Sequence, residues 1–142
     1  MKVLLINGSP HEKGCTYTAL SLIAKELNAG GIDTEILHVG GKPVGGCIGC
    51  GGCRKGEGCV FGGVVNEAIE KAKTADGFVF GSPVHYASAA GNMTSFMDRL
   101  AYAGGKYLAY KPAAICCSAR RAGTTTTLDQ LVKYPQFFHM PL

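Results

Sequence analysis

Charged side chains are scarce in this chain of 142 residues: Asp, Glu, Lys and Arg make up 17%, against 46% hydrophobic residues. That balance excludes a disordered chain and a coiled coil. No apolar run approaches the length of a bilayer span, and the longest, Val3 to Ile6 and Ala113 to Cys117, have the length of buried strands. The opening Met1-Lys2-Val3-Leu4-Leu5-Ile6-Asn7-Gly8 turns too soon for a secretory leader. The expectation is therefore a cytoplasmic protein with no membrane segment. Runs of lysine or arginine are also missing, and the net charge of +4 is dispersed, which speaks against nucleic acid and for small anionic ligands. There is no internal repeat, so residues 1–142 read as a single domain, long enough to bury a genuine core.

Cysteine, by contrast, is plentiful. Seven cysteines without a leader point to a reducing compartment and to metal or redox use in place of disulfides. Cys47, Cys50, Cys53 and Cys59 follow C-x2-C-x2-C-x5-C, so three thiols recur at every third position with a fourth just beyond. Eleven of the 21 glycines fall between Gly40 and Gly63, marking one long specialised loop. Glycine permits tight turns there and lets backbone N–H groups approach sulfur. The spacing favours a [4Fe–4S] cluster over zinc, whose commonest sites use two separated C-x2-C pairs. A thiol-rich loop that holds no metal remains the alternative at this point.

Apolar runs alternate with helical periodicity. Val3 to Ile6 reads as a strand, and Leu20, Ile23, Ala24 and Leu27 as the stripe of a helix that Gly30-Gly31 ends. Thr34 to Val39, Gly77 to Gly81 and Pro112 to Ser118 read as further strands. Helical faces follow at Val65, Ala68, Ile69 and Ala72, at Met93, Phe96, Met97 and Leu100, and at Leu128, Leu131 and Val132. The order βαβαβαβα predicts a doubly wound α/β domain, with a parallel sheet covered on both faces.

Ligands in such sheets bind beyond the carboxyl ends of the strands. Three segments occupy those positions. Gly8 to Thr18 combines hydroxyls, an imidazole and the N–H groups of a helix start, a ready phosphate site, with Thr16 or Thr18 as candidate helix caps. It lacks G-x-G-x-x-G and the Walker G-K-[ST], which argues against a dinucleotide or nucleoside triphosphate in this loop. Ser82-Pro83-Val84-His85-Tyr86, expected as a stiff turn after the third strand, offers rings and hydrogen bonds to a planar ligand. Ser118 to Thr124 contributes Arg120 and Arg121, one of which could meet a phosphate or a ring carbonyl.

With Gly8-Ser9-Pro10…Thr16, Ser82-Pro83-Val84-His85-Tyr86 and Phe96-Met97-Asp98-Arg99-Leu100, the chain resembles the flavodoxin-like NAD(P)H-dependent FMN reductases. Its cysteine spacing is similar to the iron–sulfur flavoprotein branch. The resemblance implies a three-layer α/β/α fold with FMN phosphate at Ser9, His11, Cys15, Thr16, Tyr17 and Thr18. It implies an isoalloxazine against Pro83, Val84, His85 and Tyr86, closed by Ser118, Arg120 and Gly123. His11 stands where many relatives carry arginine. Cys15 is expected to be a small packed residue, and Cys116 and Cys117 to be inert in their strand. The family's sheet has five parallel strands, whereas this chain stops at His139-Met140-Pro141-Leu142, where a fifth would begin. The expected order is therefore 2-1-3-4 with the last strand missing, an open edge at the fourth strand, and a homo-oligomer or a marginally stable chain.

The activity implied is hydride transfer from NAD(P)H to the flavin, with electrons passed to a small acceptor or, through a cluster at Cys47, Cys50, Cys53 and Cys59, to a redox protein. No catalytic side chain is required for that step, because the cofactor supplies the chemistry. One competing reading is a flavodoxin-type electron carrier, disfavoured by the positive net charge. Another is a thiol or metal sensor, which would bind no flavin.

Overall fold

A computed structural model describes residues 1–56 and 58–142. Strand β1 (Lys2–Asn7) leads into helix α1 (Cys15–Ala29), strand β2 (Asp33–His38) and then the glycine–cysteine loop, which holds one 3-10 turn at Gly52–Arg54. Helix α2 (Val64–Thr74), strand β3 (Gly77–His85), the short strand β4 (Ser88–Ala89), helix α3 (Gly91–Gly104), strand β5 (Ala113–Ser118) and helix α4 (Thr124–Phe137) complete the chain. The parallel strands lie in the order β2-β1-β3-β5. Counted as parallel strands alone, this is the expected 2-1-3-4 order of a flavodoxin-like doubly wound sheet.

The two faces of the sheet are covered unequally. Strand side chains alternate in direction, so Leu4, Ile6, Phe78 and Phe80 face one side, where α2, α3 and α4 supply Val65, Ile69, Phe96, Leu100 and Leu131. On the other side Leu5 and Val79 meet only Leu20 and Ala24 of α1, with Ile23, Ile36 and Cys116 at the margin. One helix cannot cover four strands. Accordingly the edge strand β5 is less buried than the inner strands β1 and β3, with Ala114 exposed and residues 115–118 half-buried.

One expectation changes. The third strand does not stop at Gly81: Ser82 and Pro83 continue the pairing with β5, and Val84 and His85 pair with Ala89 and Ser88 of β4. The expected turn at 82–86 is thus mostly strand, with Tyr86 and Ala87 alone forming the hairpin tip. Both have positive φ, 51° and 59°, the type I′ geometry that matches strand twist but disfavours side chains. Helix α4 holds Leu128, Leu131 and Val132 as expected, and its buried stripe is Thr127, Leu131 and Pro135. A proline in that helix removes an N–H and its ring is held in the core. Residues 139–142 add no strand; Pro141 O accepts from Ala113 N (2.8 Å) and Met140 is buried.

Candidate functional site

The crevice forms where the carboxyl ends of β1, β3 and β5 meet. Asn7, fully buried at the end of β1, shapes the first loop: its Nδ2 donates to Glu12 O (3.0 Å) and its Oδ1 accepts from Ser9 N (3.1 Å). Ser9 is buried in turn, and its Oγ accepts from His11 N (3.1 Å). Gly8 N donates to Gly81 O (2.8 Å), locking the loop to β3. Gly40 crosses so closely that a Cβ there would lie 2.2 Å from Ser9 O. No side chain larger than hydrogen fits.

The loop delivers the start of α1. Gly14 is the N-cap and no side chain caps the helix, so the expected Thr16 or Thr18 cap is absent. Thr18 Oγ1 instead donates back to Gly14 O (3.3 Å). Thr16 is buried and its Oγ1 lies 2.9 Å from Ser118 Oγ on β5. The first-turn N–H groups, which have no partner earlier in the helix, are left for an anion, with the positive end of the helix dipole behind them. This arrangement fits a phosphate held by Ser9, Thr16 and the backbone of residues 15–17. Tyr17 is half-buried, while His11, Cys15 and Thr18 are exposed. Cys15 is therefore not the packed residue expected; at the first position of the helix its side chain points to solvent.

The β3–β4 hairpin forms the opposite wall. Pro83 and Val84 are half-buried and His85 and Tyr86 exposed, so ring and imidazole are free to meet a planar ligand. A cavity of about 300 Å³ opens between Gly8, Pro10, His85 and Ala90 to Asn92. Gly123, the N-cap of α4 at φ 92°, packs against the hairpin, and a Cβ there would lie 2.6 Å from Ala87 Cα. Ser118, Gly123 and the hairpin are thereby brought together, while Arg120 and Arg121 are exposed on the same loop. Two residues that the sequence did not reveal anchor the hairpin. Gln130 Oε1 accepts from Ser88 Oγ (2.8 Å) and Ala89 N (2.9 Å), and Thr126 Oγ1 donates to Ala87 O (2.7 Å). Only the fold brings α4 beside residues some forty positions earlier.

Cys116 and Cys117 lie on β5 beside this crevice. Burial, and then the neighbouring Cys117, push the Cys116 thiol up to about 11; burial also raises that of Cys117. Both stay protonated at neutral pH and are poor nucleophiles.

Cys47, Cys50, Cys53 and Cys59 line one cavity of about 350 Å³, together with Ile48, Phe61, Arg99 and Tyr102. All four are free thiols; Cys47 and Cys50 are exposed, Cys53 and Cys59 half-buried. Gly51, at φ 70°, turns the chain into the 3-10 turn that carries Cys53. Cys59 is held from two helices. Asn66 of α2 accepts from its N–H (2.7 Å) and donates to its carbonyl (3.0 Å), and Arg99 Nε of α3 donates to its sulfur (3.2 Å). Among the described residues, no three His, Cys, Asp or Glu side chains are set to hold a single metal ion. A zinc site needs sulfurs each about 2.3 Å from one centre. Four thiols spread around a cavity suit the larger body of a cubane better. Asn92, near the start of α3, fastens the same loop by donating to Gly40 O (3.0 Å) and Lys42 O (3.1 Å) and accepting from Val44 N (3.2 Å).

Among the described residues no helix is long and apolar enough to cross a membrane. Known proteins agree with this architecture. An iron-sulfur flavoprotein of Methanocaldococcus jannaschii is 38% identical over 103 residues, which cover 70% of this chain and 51% of that protein. An iron-sulfur flavoprotein of Archaeoglobus fulgidus is 34% identical over 99 residues, covering 70% and 48%. The chain thus spans about half the length of the curated relatives it matches. The apo crystal structure of the NADH:FMN oxidoreductase EMOB superimposes with a TM-score of 0.71 at 21% identity, over 98% of this chain and 70% of that one, a likeness of fold. With residues 1–142 matched throughout by the family pattern, this chain belongs to the NADPH-dependent FMN reductase family.

Proposed function

We propose that the chain binds FMN in the crevice between residues 8–18, 82–87 and 118–123, and acts as an NAD(P)H-dependent flavin oxidoreductase. The observation that carries this is the uncapped start of α1 beside buried Ser9 and Thr16, with the exposed His85–Tyr86 hairpin across from it. FMN, when bound, supplies hydride acceptance and electron release. The chain's own part is positional. Ser9, Thr16 and the α1 N–H groups hold the phosphate, the Thr16–Ser118 contact fixes the two loops, and Gln130 and Thr126 hold the hairpin wall. His11 is exposed, so neutralisation of the phosphate falls mainly to the helix N-terminus.

We propose further that Cys47, Cys50, Cys53 and Cys59 hold a [4Fe–4S] cluster, as the names of the relatives suggest for those proteins. The shared cavity and the donor set support it. Helix α3 links the two sites: Asn92 lines the crevice and Arg99 the thiol cavity, seven residues or about 10 Å apart along the axis. Electrons would leave toward a small acceptor or a redox protein. Apart from Ala113 N, which donates to Pro141 O, the outer edge of β5 pairs with no described strand, and this favours association with a second chain.

The test is an absorption spectrum of protein purified without oxygen, with iron, acid-labile sulfide and released FMN assayed on the same sample and NADPH oxidation followed. Stoichiometric FMN with four irons supports both parts. FMN without iron retains the reductase and removes the cluster. A colourless protein that FMN does not restore overturns the reading.

A further inference from the structure

Among the described residues, Arg99 is the one charged side chain that is buried, with 6% exposure. No described carboxylate stands within ion-pair distance of it. Its neighbour Asp98 is turned toward α4, where it accepts from Tyr134 Oη (2.6 Å). A guanidinium taken out of water without an anion is unfavourable, so its surroundings indicate what it is there to meet. Nε donates to Cys59 Sγ (3.2 Å), Nη1 to Gly45 O (3.4 Å) and Nη2 to Gly62 O (3.0 Å), and the group lies 5.5 Å from the centre of the Phe61 ring. Gly45 precedes the first cysteine of the loop and Gly62 follows the last. One planar fork therefore ties both ends of the cysteine loop together while facing its most buried wall.

We infer that Arg99 is the positioning residue and counter-charge of the thiol site. The inference rests on the reading that the four cysteines hold a cluster. Thiolate-ligated clusters carry net negative charge, and their reduction potential depends on that charge and on hydrogen bonds to sulfur. A cation donating to one ligand sulfur stabilises the more negative, reduced state, so it raises the potential. The fork adds a second effect, because its donors sit on three separate nitrogens and reach two carbonyls and a sulfur that lie apart, whereas a lysine offers all its N–H groups from one nitrogen. Asn66 complements it by fixing the Cys59 backbone, which leaves orientation of the sulfur to Arg99.

The test compares wild type, Arg99→Gln and Arg99→Lys, each loaded anaerobically with iron and sulfide. The midpoint potential is read by spectroelectrochemical titration and iron loss by transfer to a ferrous chelator. Arg99→Gln is expected to shift the potential negative and to lose iron several-fold faster. Arg99→Lys should keep a potential close to wild type but still lose iron faster, since it restores the charge and not the fork. A merely structural arginine would change stability without moving the potential. Arg99→Gln with the potential and iron retention of wild type overturns the inference, and so does Arg99→Lys retaining iron as well as wild type, should the glutamine variant fail to fold. Wild type that takes up no iron and sulfide is a different failure, visible before any variant is compared, and it removes the cluster reading together with this role.

Discussion

The hydroxyls of Thr16 and Ser118 lie 2.9 Å apart, joining positions 102 residues distant in sequence. One comes from the first turn of α1 and the other from the end of β5, so this contact closes the crevice across β1 and β3. Thr16→Val keeps the shape and removes the hydroxyl. FMN should then bind about 10-fold more weakly, equivalent to about 1.4 kcal/mol, as for one lost hydrogen bond of ordinary strength. Fluorescence titration of FMN reads this, and an unchanged affinity would place the phosphate elsewhere.

Gly40 should be intolerant of any side chain. In Gly40→Ala the new methyl would meet Ser9 O and Gly8 O, backbone atoms at 2.2 and 2.5 Å. Neither can yield without moving the loop between β1 and α1. Overpacking of this kind costs about 3 kcal/mol, to be seen in urea denaturation along with weakened FMN binding. A variant as stable as wild type would show that the two loops are less tightly apposed than described.

Asn66→Leu leaves the N–H and carbonyl of Cys59 without their side-chain partner. Both are half-buried, so the expected loss is about 2 kcal/mol. Hydrogen exchange should localise the effect to the segment around Cys59, with the FMN crevice unaffected. Uniform destabilisation without local loss of protection would contradict this.

Cys116 gives a pH dependence of defined sign. Its thiol ionises near 11 in the fold against an ordinary value of 9.0. Between these values the unfolded chain has released a proton that the folded chain still holds, so stability falls as pH rises through the window. This contribution is fully present below pH 9 and lost above pH 11. Denaturation midpoints of wild type and Cys116→Ala, compared from pH 8 to 11, should diverge in slope, with the variant less steep. Parallel curves would mean that the thiol ionises at its ordinary value in the fold.

The hairpin tip stores strain that glycine would relieve. Ala87 sits at φ 59° between the paired His85 and Ser88. Ala87→Gly removes the left-handed penalty and adds some unfolded-state entropy, for a net gain of about 0.5 kcal/mol. A lower denaturation midpoint in the variant would show that the alanine methyl makes a contact worth more than the strain.

Much of this molecule was legible because its signals are local. Runs such as Leu4-Leu5-Ile6 and Phe78-Val79-Phe80 are apolar on both faces, as strands covered on both sides must be, and they proved fully buried. Leu20 and Ala24, or Met93, Phe96, Met97 and Leu100, repeat at helical spacing and lie in the core as the pattern requires. The errors arose where pairing overrides local preference. Ser82-Pro83 looks like a turn, yet β5 and β4 draw it into the sheet. Leu128 fits a helical stripe, yet the face of α4 that is buried carries Thr127, Leu131 and Pro135.

Sequence by itself determined the order of elements, the glycine-rich loop with its four cysteines, and the hydroxyl-rich start of the first helix, since each depends on residues adjacent in the chain. Tertiary structure decided which polar groups serve those features. Asn66, Asn92, Arg99 and Gln130 carry no local signature, because such a side chain on a helix is ordinary until a loop is folded against it. Their partners lie between seven and 54 positions away, and hydrogen-bond geometry acts over about 3 Å. Only packing brings such groups within that range, so only packing could assign them.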